Sequence, residues 1–180
     1  MLIRSAAQDI ERVLFSEEAI AARVRALGEE LSERFRGERP VMVGVLKGAS
    51  FFLVDLCRRM TCPLDMEFIS VSSYGNGSSS SGAVRLLHDL EHDIAGRHVV
   101  IIEDIIDSGL TVKYLKELFA ARSPASLTSV AFLQKPGASQ PVDLCGFSAP
   151  DEFLVGYGLD YAENYRNLPY IGILKNECYC

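Results

Sequence analysis

One stretch of the chain constrains its fold more than any other, the segment "VVIIEDIIDSGLT" at residues 99–111. Its first four residues are all β-branched and apolar, and no polar residue interrupts them. A strand of this kind is buried on both faces, which is typical of a parallel sheet covered by helices. Glu103 and Asp104 follow at once, and Asp107 adds a third carboxylate. Because like charges at close range repel one another, this grouping predicts a ligand that supplies cations or hydroxyl groups.

The remaining sequence alternates helical and extended patterns. Helices are predicted over 16–36, 47–60 and 108–122. Ser16 is the predicted N-cap of the first helix, and Leu110 lies on the predicted apolar face of the third. Strands are predicted at 41–46, 64–73, 83–87, 98–102 and 126–134, with short strands near Phe153 and Ile171. This alternation predicts an α/β fold, a mostly parallel sheet flanked by helices in a single domain over 1–180. Ligands of such sheets collect at the carboxyl ends of the strands.

Composition narrows the function classes. The net charge is −6, with 24 acids against 18 bases, which argues against a general nucleic-acid binder. No apolar run approaches the roughly 20 residues that span a bilayer, and the N-terminus does not read as a signal peptide, so no membrane partner is expected. The five cysteines are odd in number and show no C-x-x-C spacing. Reduced thiols in a cytoplasmic protein explain them better than disulfides.

The turn at 107–111 has the composition of a phosphate site. It opens a predicted helix, whose first N–H groups and dipole favour an anion, and Gly109 allows a close backbone approach. Simple capping of the helix by Asp107 or Ser108 is the alternative, but it leaves Glu103 and Asp104 unexplained. The sequence contains neither a Walker A pattern nor a G-x-G-x-x-G after a strand. Adjacent carboxylates suit the two hydroxyls of a vicinal diol, so the combination predicts a ribose 5-phosphate site.

Residues 99–111 closely resemble the phosphoribosyl-diphosphate (PRPP) signature of the type I phosphoribosyltransferases. The resemblance implies the fold of that family, in which the sheet carries a small hood and a mobile lid loop. It also implies that Glu103 and Asp104 hold the ribose hydroxyls and that Asp107 accepts the proton at N7 of an incoming purine. The 5′-phosphate is then wrapped by residues 107–111, which include Ser108, Gly109, Leu110 and Thr111.

Two further stretches resemble the hypoxanthine-guanine members of this family. The segment "VGVLKGASFF" at 43–52 is similar to their pyrophosphate loop, which assigns pyrophosphate binding to Leu46, Lys47 and Gly48 and implies a cis Leu46–Lys47 peptide. The segment "SSYGNGSSSSG" at 72–82 is similar to their catalytic lid, in which Ser73 and Tyr74 close over the reacting groups. Its serine run departs from the more usual Thr-Glu, a change expected to affect lid dynamics rather than chemistry.

The segments "LQKPGA" and "PDEFLVGYGLDYAENYRNLPY" resemble the purine-specific end of the same enzymes. The resemblance makes Lys135 a donor to the oxygen at C6 of the base. Phe153 then stacks on the purine, and the Leu154 backbone contacts the edge of the base. Asp160 coordinates Mg²⁺, with Glu103 and Asp104 near the ribose-bound ion, and Arg166 contacts pyrophosphate. Lys is a donor only, and therefore favours a 6-oxopurine over adenine.

The expected reaction is a Mg²⁺-dependent transfer that converts hypoxanthine, guanine or both, together with PRPP, into the nucleoside 5′-monophosphate and pyrophosphate. Two alternatives remain open at this point: a xanthine-preferring 6-oxopurine enzyme, and a nucleotide-sensing, RNA-binding regulator on the same fold. Acidic net charge and the purine-type tail speak against the regulator. By analogy with the family, a homodimer or homotetramer is expected.

The segment "HDLEH" at 88–92 matches the H-x-x-E-H pattern of certain zinc peptidases. A zinc site of that kind needs these residues on a helix and a distant third ligand. Since the segment is short and lies between two predicted strands, we interpret it as a polar turn with His88 and His92 in solvent.

Overall fold

The computed structural model describes residues 8–74, 83–138 and 142–179. Its strands are β1 (Ile10–Phe15), β2 (Val41–Leu46), β3 (Asp65–Tyr74), β4 (Ala83–His88), β5 (His98–Ile106), β6 (Ser126–Gln134), β7 (Leu144–Ser148), β8 (Leu154–Val155) and β9 (Ile171–Leu174). Its helices are α1 (Glu17–Arg34), α2 (Ser50–Cys57), α3 (Leu110–Ala120) and a C-terminal 3-10 helix (Asn176–Cys178). None of the described helices is long and apolar enough to cross a membrane.

A six-stranded sheet forms the centre of the molecule, in the order β4-β3-β2-β5-β6-β7. Neighbouring strands are parallel except at one edge, where β4 runs antiparallel to β3. Alternate residues of β5 enter different cores: Val100 and Ile102 join the cluster that contains α1 and α2, and Ile101 joins the one that contains α3. The predicted mostly parallel sheet, buried on both faces, is therefore confirmed.

A second sheet of three antiparallel strands, β1-β9-β8, lies beside the large one. It joins the two ends of the described chain, because Ile10 of β1 pairs with Leu174 of β9. This is the small hood that the family resemblance implied. Residues 10–15 were not predicted as a strand, since their sequence mixes polar and apolar residues and their pairing partner lies at the far end of the chain.

The first helix agrees closely with its prediction. The Ser16 hydroxyl accepts a hydrogen bond from the Ala19 backbone N–H at 3.3 Å, which makes Ser16 the N-cap. The helix ends at Arg34, and Gly37 has the left-handed φ of 82° that glycine favours at such a stop.

Two predicted elements need correction. The strand β5 does not end at Ile102 but continues through both acids to Ile106, because its backbone goes on pairing with β6. On α3 the apolar face is carried by Val112, Leu115 and Phe119, whereas Leu110 is exposed. Leu110 is the first residue of the helix, and no neighbouring turn covers it.

The prediction that residues 88–92 are not helical and that both histidines are exposed is confirmed, although His88 belongs to β4. His88 is the last residue of β4, and the residues after it form an irregular segment rather than a helix. His88 is exposed, and the His92 side chain is 80% exposed while its Nδ1 contacts the buried carboxylate of Glu67. All four cysteines in the described part of the chain are free thiols.

Candidate active site

Two adjacent carboxylates lie near the carboxyl end of the central strand β5. The Glu103 side chain is buried, and burial, followed by repulsion from the Asp104 carboxylate, raises its pKa well above the ordinary range. Asp104 is only partly exposed, and burial raises its pKa to about 6 although the Ile105 backbone N–H donates to its Oδ1 at 2.7 Å. A buried like-charged pair is costly without a partner, so the site favours hydroxyl donors or a cation.

The loop between β2 and α2 packs directly against this pair. The Leu46–Lys47 peptide is cis, as the family resemblance implied. A Cβ added to Gly48 would lie 1.5 Å from Asp104 Oδ2, so only a glycine allows this approach. On the other side, a Cβ on Gly158 would lie 2.0 Å from the Gly48 carbonyl oxygen. The loop is therefore held between the acid pair and the segment that follows β8.

The turn after β5 leads into the N-terminus of α3. Asp107 and Ser108 are exposed, whereas Gly109 is buried and has a left-handed φ of 80°. The Ser108 hydroxyl accepts a hydrogen bond of 3.4 Å from the Leu110 N–H. Gly109 is the N-cap of α3 and has no side chain that could cap the helix. The N-terminus of α3, with its first N–H groups and the positive end of its dipole, suits an anion.

A network of ion pairs links the loop before α2 to the chain after β8. The Arg166 guanidinium donates to the Gly158 carbonyl oxygen at 2.7 Å and lies 2.7 Å from Asp160 Oδ1. Glu163 bridges the two cations, with Oε2 3.0 Å from Lys47 Nζ and Oε1 3.6 Å from Arg166 Nη2. Hydrogen bonding to Lys47 lowers the pKa of Glu163, which is therefore ionised at neutral pH. Two cations from distant segments are thus gathered beside the acid pair.

One cavity brings three of these carboxylates together with Lys135 and Phe153. It is lined by Asp104, Ile105, Asp107, Lys135, Glu152, Phe153, Leu154, Leu159 and Asp160. The Lys135 side chain is 17% exposed, and its Nζ lies 3.1 Å from Oδ1 of the exposed Asp151. The cavity therefore combines a cationic donor, an aromatic ring and several carboxylates in one lining.

The sequence matches the family described as "Phosphoribosyl transferase domain" over residues 13–162. This chain belongs to the phosphoribosyltransferase family. It is 52% identical over 174 residues to the hypoxanthine-guanine phosphoribosyltransferase of Bacillus subtilis, covering 95% of this chain and 97% of the relative. It is also 52% identical to the bifunctional protein TilS/HprT of Listeria innocua, but spans only 27% of that longer protein.

Solved structures agree with the assignment to the phosphoribosyltransferases. A hypoxanthine phosphoribosyltransferase from Staphylococcus aureus superposes with a TM-score of 0.94 at 42% identity, covering 100% of both chains. The family and the fold that residues 99–111 implied are therefore confirmed.

The phosphoribosyltransferase fold brings several of the predicted site residues together, although Glu103 and residues 108–111 do not line the same cavity. Asp104, Asp107, Lys135, Phe153 and Asp160 line the same cavity. Leu154 also lines it, and its backbone pairs with Ile173 of β9. Lys47 and Arg166 do not line this cavity but adjoin it through Glu163 and Asp160. In the predicted lid, residues 75–82 lie outside the described residues; the backbone of Ser73 and Tyr74 ends β3, and their side chains lie outside the description.

Three neighbours of the site were not predicted from the sequence. Glu163 bridges Lys47 and Arg166, Asp151 pairs with Lys135, and Tyr179 stacks on Phe153. Each is an ordinary exposed or partly exposed residue; Asp151 and Glu163 lie within the segment 150–170 but were assigned no role there. The acids could have been sought as counterions of the predicted cations, whereas Tyr179 offers no such signal.

Proposed function

We propose that this chain is a purine-salvage transferase that converts hypoxanthine, guanine or both, with PRPP, into IMP or GMP and pyrophosphate. The observation that carries the proposal is one cavity lined by the Asp104 and Asp107 carboxylates together with Lys135 and the Phe153 ring. Such a cavity offers partners to a sugar diol and to a flat 6-oxopurine at the same time. The activity named for the Bacillus subtilis relative supports the same reaction.

At the base end, Lys135 donates to the oxygen at C6 of the purine, and Phe153 provides a face for the ring. Lys has no acceptor, so it discriminates against the amino group of adenine. Its present partner, Asp151, has a side chain that is 84% exposed. Because exposed ion pairs contribute little, exchanging this contact for the base costs little. The Leu154 backbone lies at the edge of the base.

At the ribose end, Glu103 and Asp104 accept hydrogen bonds from the two sugar hydroxyls. The raised pKa values of the pair show how poorly the protein alone satisfies their charge. The 5′-phosphate lies in the turn 107–111, where Gly109 and the first N–H groups of α3 receive it. The Ser108 and Thr111 hydroxyls and the Leu110 N–H complete this cradle.

Pyrophosphate lies between Lys47 and Arg166, with the Leu46–Gly48 backbone beneath it. Arg can hold phosphate oxygens in a fork, and both cations now share Glu163, which the more highly charged pyrophosphate displaces. The donor set also fits Mg²⁺, since Asp104 and Asp160 line one cavity and Mg²⁺ uses one or two carboxylates plus substrate oxygens. Bound there, Mg²⁺ would neutralise charge on the leaving pyrophosphate.

Asp107 is the group that receives the proton from N7 of the purine as N9 attacks the anomeric carbon. It is exposed and lines the cavity, so it can reach the base without a rearrangement of β5. A carboxylate is a weaker proton acceptor at neutral pH than the imidazole that more often serves as a general base. Most of the rate enhancement therefore comes from orientation of the substrates and from fixed charges.

The free thiols fit a reducing compartment, and we place the reaction in the cytoplasm. A homodimer or homotetramer is the proposed assembly, by analogy with the family.

The test is nucleotide formation by the purified protein with Mg²⁺, PRPP and hypoxanthine, guanine, xanthine or adenine in turn. Turnover of hypoxanthine or guanine but not adenine is expected. Exclusive turnover of xanthine would change the proposed base, and binding of PRPP without turnover of any base would favour a nucleotide-sensing regulator.

Two variants test the roles proposed for Lys135 in base binding and for Asp107 in proton transfer. Lys135→Gln should lower kcat/KM for hypoxanthine about 10- to 100-fold, the effect of losing a charge-assisted hydrogen bond, while the exposed Lys113→Gln should not. Asp107→Asn should lower kcat and affect PRPP binding less; wild-type kcat in this variant would remove Asp107 from the mechanism.

A further inference from the structure

The aromatic ring at the purine end of the cavity belongs to a cluster of three. The ring of Phe153 is stacked on that of Tyr179, with centroids 4.8 Å apart and planes 27° apart. Tyr161 meets Phe153 edge-on, at 5.4 Å and 89°. Of the three rings, only Phe153 lines the cavity. One side of Phe153 is therefore available to a ligand, and Tyr179 supports it from outside the cavity.

Backbone contacts hold Tyr179 in this position. The Lys175 N–H donates to the Asp9 carbonyl oxygen at 3.0 Å, which fixes the chain end against the residues before β1. The 3-10 helix that follows then reverses the chain: the Cys178 N–H bonds to the Lys175 carbonyl oxygen at 2.9 Å, and the Tyr179 N–H to that of Asn176 at 3.2 Å. The Tyr179 hydroxyl also contacts Asn176 Oδ1.

The backbone of Phe153 is held against the end of β9. Its carbonyl oxygen accepts a bond of 2.9 Å from the Leu174 N–H, at the end of β9. This hydrogen bond fixes the position of the Phe153 backbone but not the side-chain torsions that set the plane of its ring. A stacked aromatic neighbour supplies that restraint, because offset-stacked rings prefer a defined separation and tilt.

We propose that Tyr179 is a positioning residue for purine binding, which holds the Phe153 ring in the plane that a base stacks on. This inference rests on the proposed function, since it takes Phe153 to be the platform for the base. It adds a requirement that the cavity alone does not reveal: the C-terminal turn must be folded against the hood for full affinity towards the base. Tyr179 touches no reacting atom and is not a catalytic residue.

The test compares Tyr179→Leu, which keeps an apolar side chain without an aromatic face, with Tyr179→Phe, which loses only the hydroxyl. In Tyr179→Leu the KM for hypoxanthine should rise about 2- to 10-fold, the contribution of one aromatic pair. The KM for PRPP should stay unchanged, because the ribose-phosphate groups lie on other elements. Tyr179→Phe should behave as wild type.

A double-mutant cycle separates action through Phe153 from a general effect. In a Phe153→Leu background, adding Tyr179→Leu should cause no further rise in the KM for hypoxanthine. An equal rise in both backgrounds, an equal rise in the KM for PRPP, or a lower KM for hypoxanthine in the single variant would overturn the proposal.

Calorimetric binding of GMP provides a second readout that needs no turnover, and Tyr179→Leu should weaken it by the same factor. If the wild type turns over hypoxanthine or guanine and Tyr179→Leu changes neither the KM for hypoxanthine nor GMP binding, only the role of Tyr179 is refuted. The proposed function then stands. A wild type that neither turns over a base nor binds GMP refutes the proposed function and this inference together.

Discussion

Replacing Asp104 by Asn tests whether the buried acid pair lowers the free energy of unfolding of the protein. Burial raises the pKa of Asp104 from its ordinary 3.8 to about 6. Such an acid is protonated in both folded and unfolded chains below about pH 4, and it is ionised in both above about pH 6. Between these values the folded protein binds more protons, so the contribution of Asp104 to stability falls as the pH rises.

The shift corresponds to about 3 kcal/mol of destabilisation at neutral pH, since one pKa unit is equivalent to about 1.4 kcal/mol. This figure is an upper bound because Asp104 keeps a partly exposed edge. Asn preserves the shape and the Oδ1 that accepts from the Ile105 N–H, while removing the charge. We therefore expect Asp104→Asn to be up to about 3 kcal/mol more stable at pH 7, which raises Tm by up to about 12 °C.

The assay is urea unfolding of both proteins between pH 4 and pH 7.5, with a chelator and without PRPP. The stability difference should be small at pH 4 and should grow through pH 6. Asp107→Asn is the control, because its exposed carboxylate should change stability by less than about 0.5 kcal/mol. A stability difference that does not vary with pH, or an Asp104→Asn protein no more stable than wild type at pH 7, would refute the reasoning. The same variant should lose most of its affinity for PRPP.

Two further predictions concern the packing of Gly48 against Asp104 and the ion pairs of Asp65 at the start of β3. Gly48→Ala should cost about 1–3 kcal/mol and raise the KM for PRPP, because its Cβ would lie 1.5 Å from Asp104 Oδ2; unchanged urea unfolding and PRPP kinetics would contradict this. Asp65→Asn should lower stability at pH 7 by about 1 kcal/mol, since hydrogen bonds from Arg97 and then Arg39 lower the pKa of Asp65. That stabilisation is present above pH 3.8 and is lost as the pH falls through the lower pKa that Asp65 has in the folded protein. Thermal melts of variant and wild type should therefore converge in acid.

Local patterns in the sequence were sufficient to predict the central strands and helices of the fold and the family to which the chain belongs. Four β-branched residues before Glu103 predicted a strand buried on both faces, and alternate residues of β5 do enter two different cores. The three- and four-residue spacing after Ser16 predicted α1 and its cap. The family resemblance of residues 99–111 was carried by thirteen consecutive residues and needed no tertiary information.

Long-range contacts decided the rest. The strand β5 extends through Glu103 and Asp104 because β6 continues to offer it hydrogen-bond partners, which no pattern within 99–111 reveals. The hood exists because Ile10 pairs with Leu174, a contact between opposite ends of the described chain. Glu163 and Tyr179 became neighbours of the site in the same way, through the folding of distant segments onto Lys47 and Phe153. Sequence periodicity reports which face of an element is buried, whereas the partners on that face depend on how separate elements pack, and only the tertiary structure determines them.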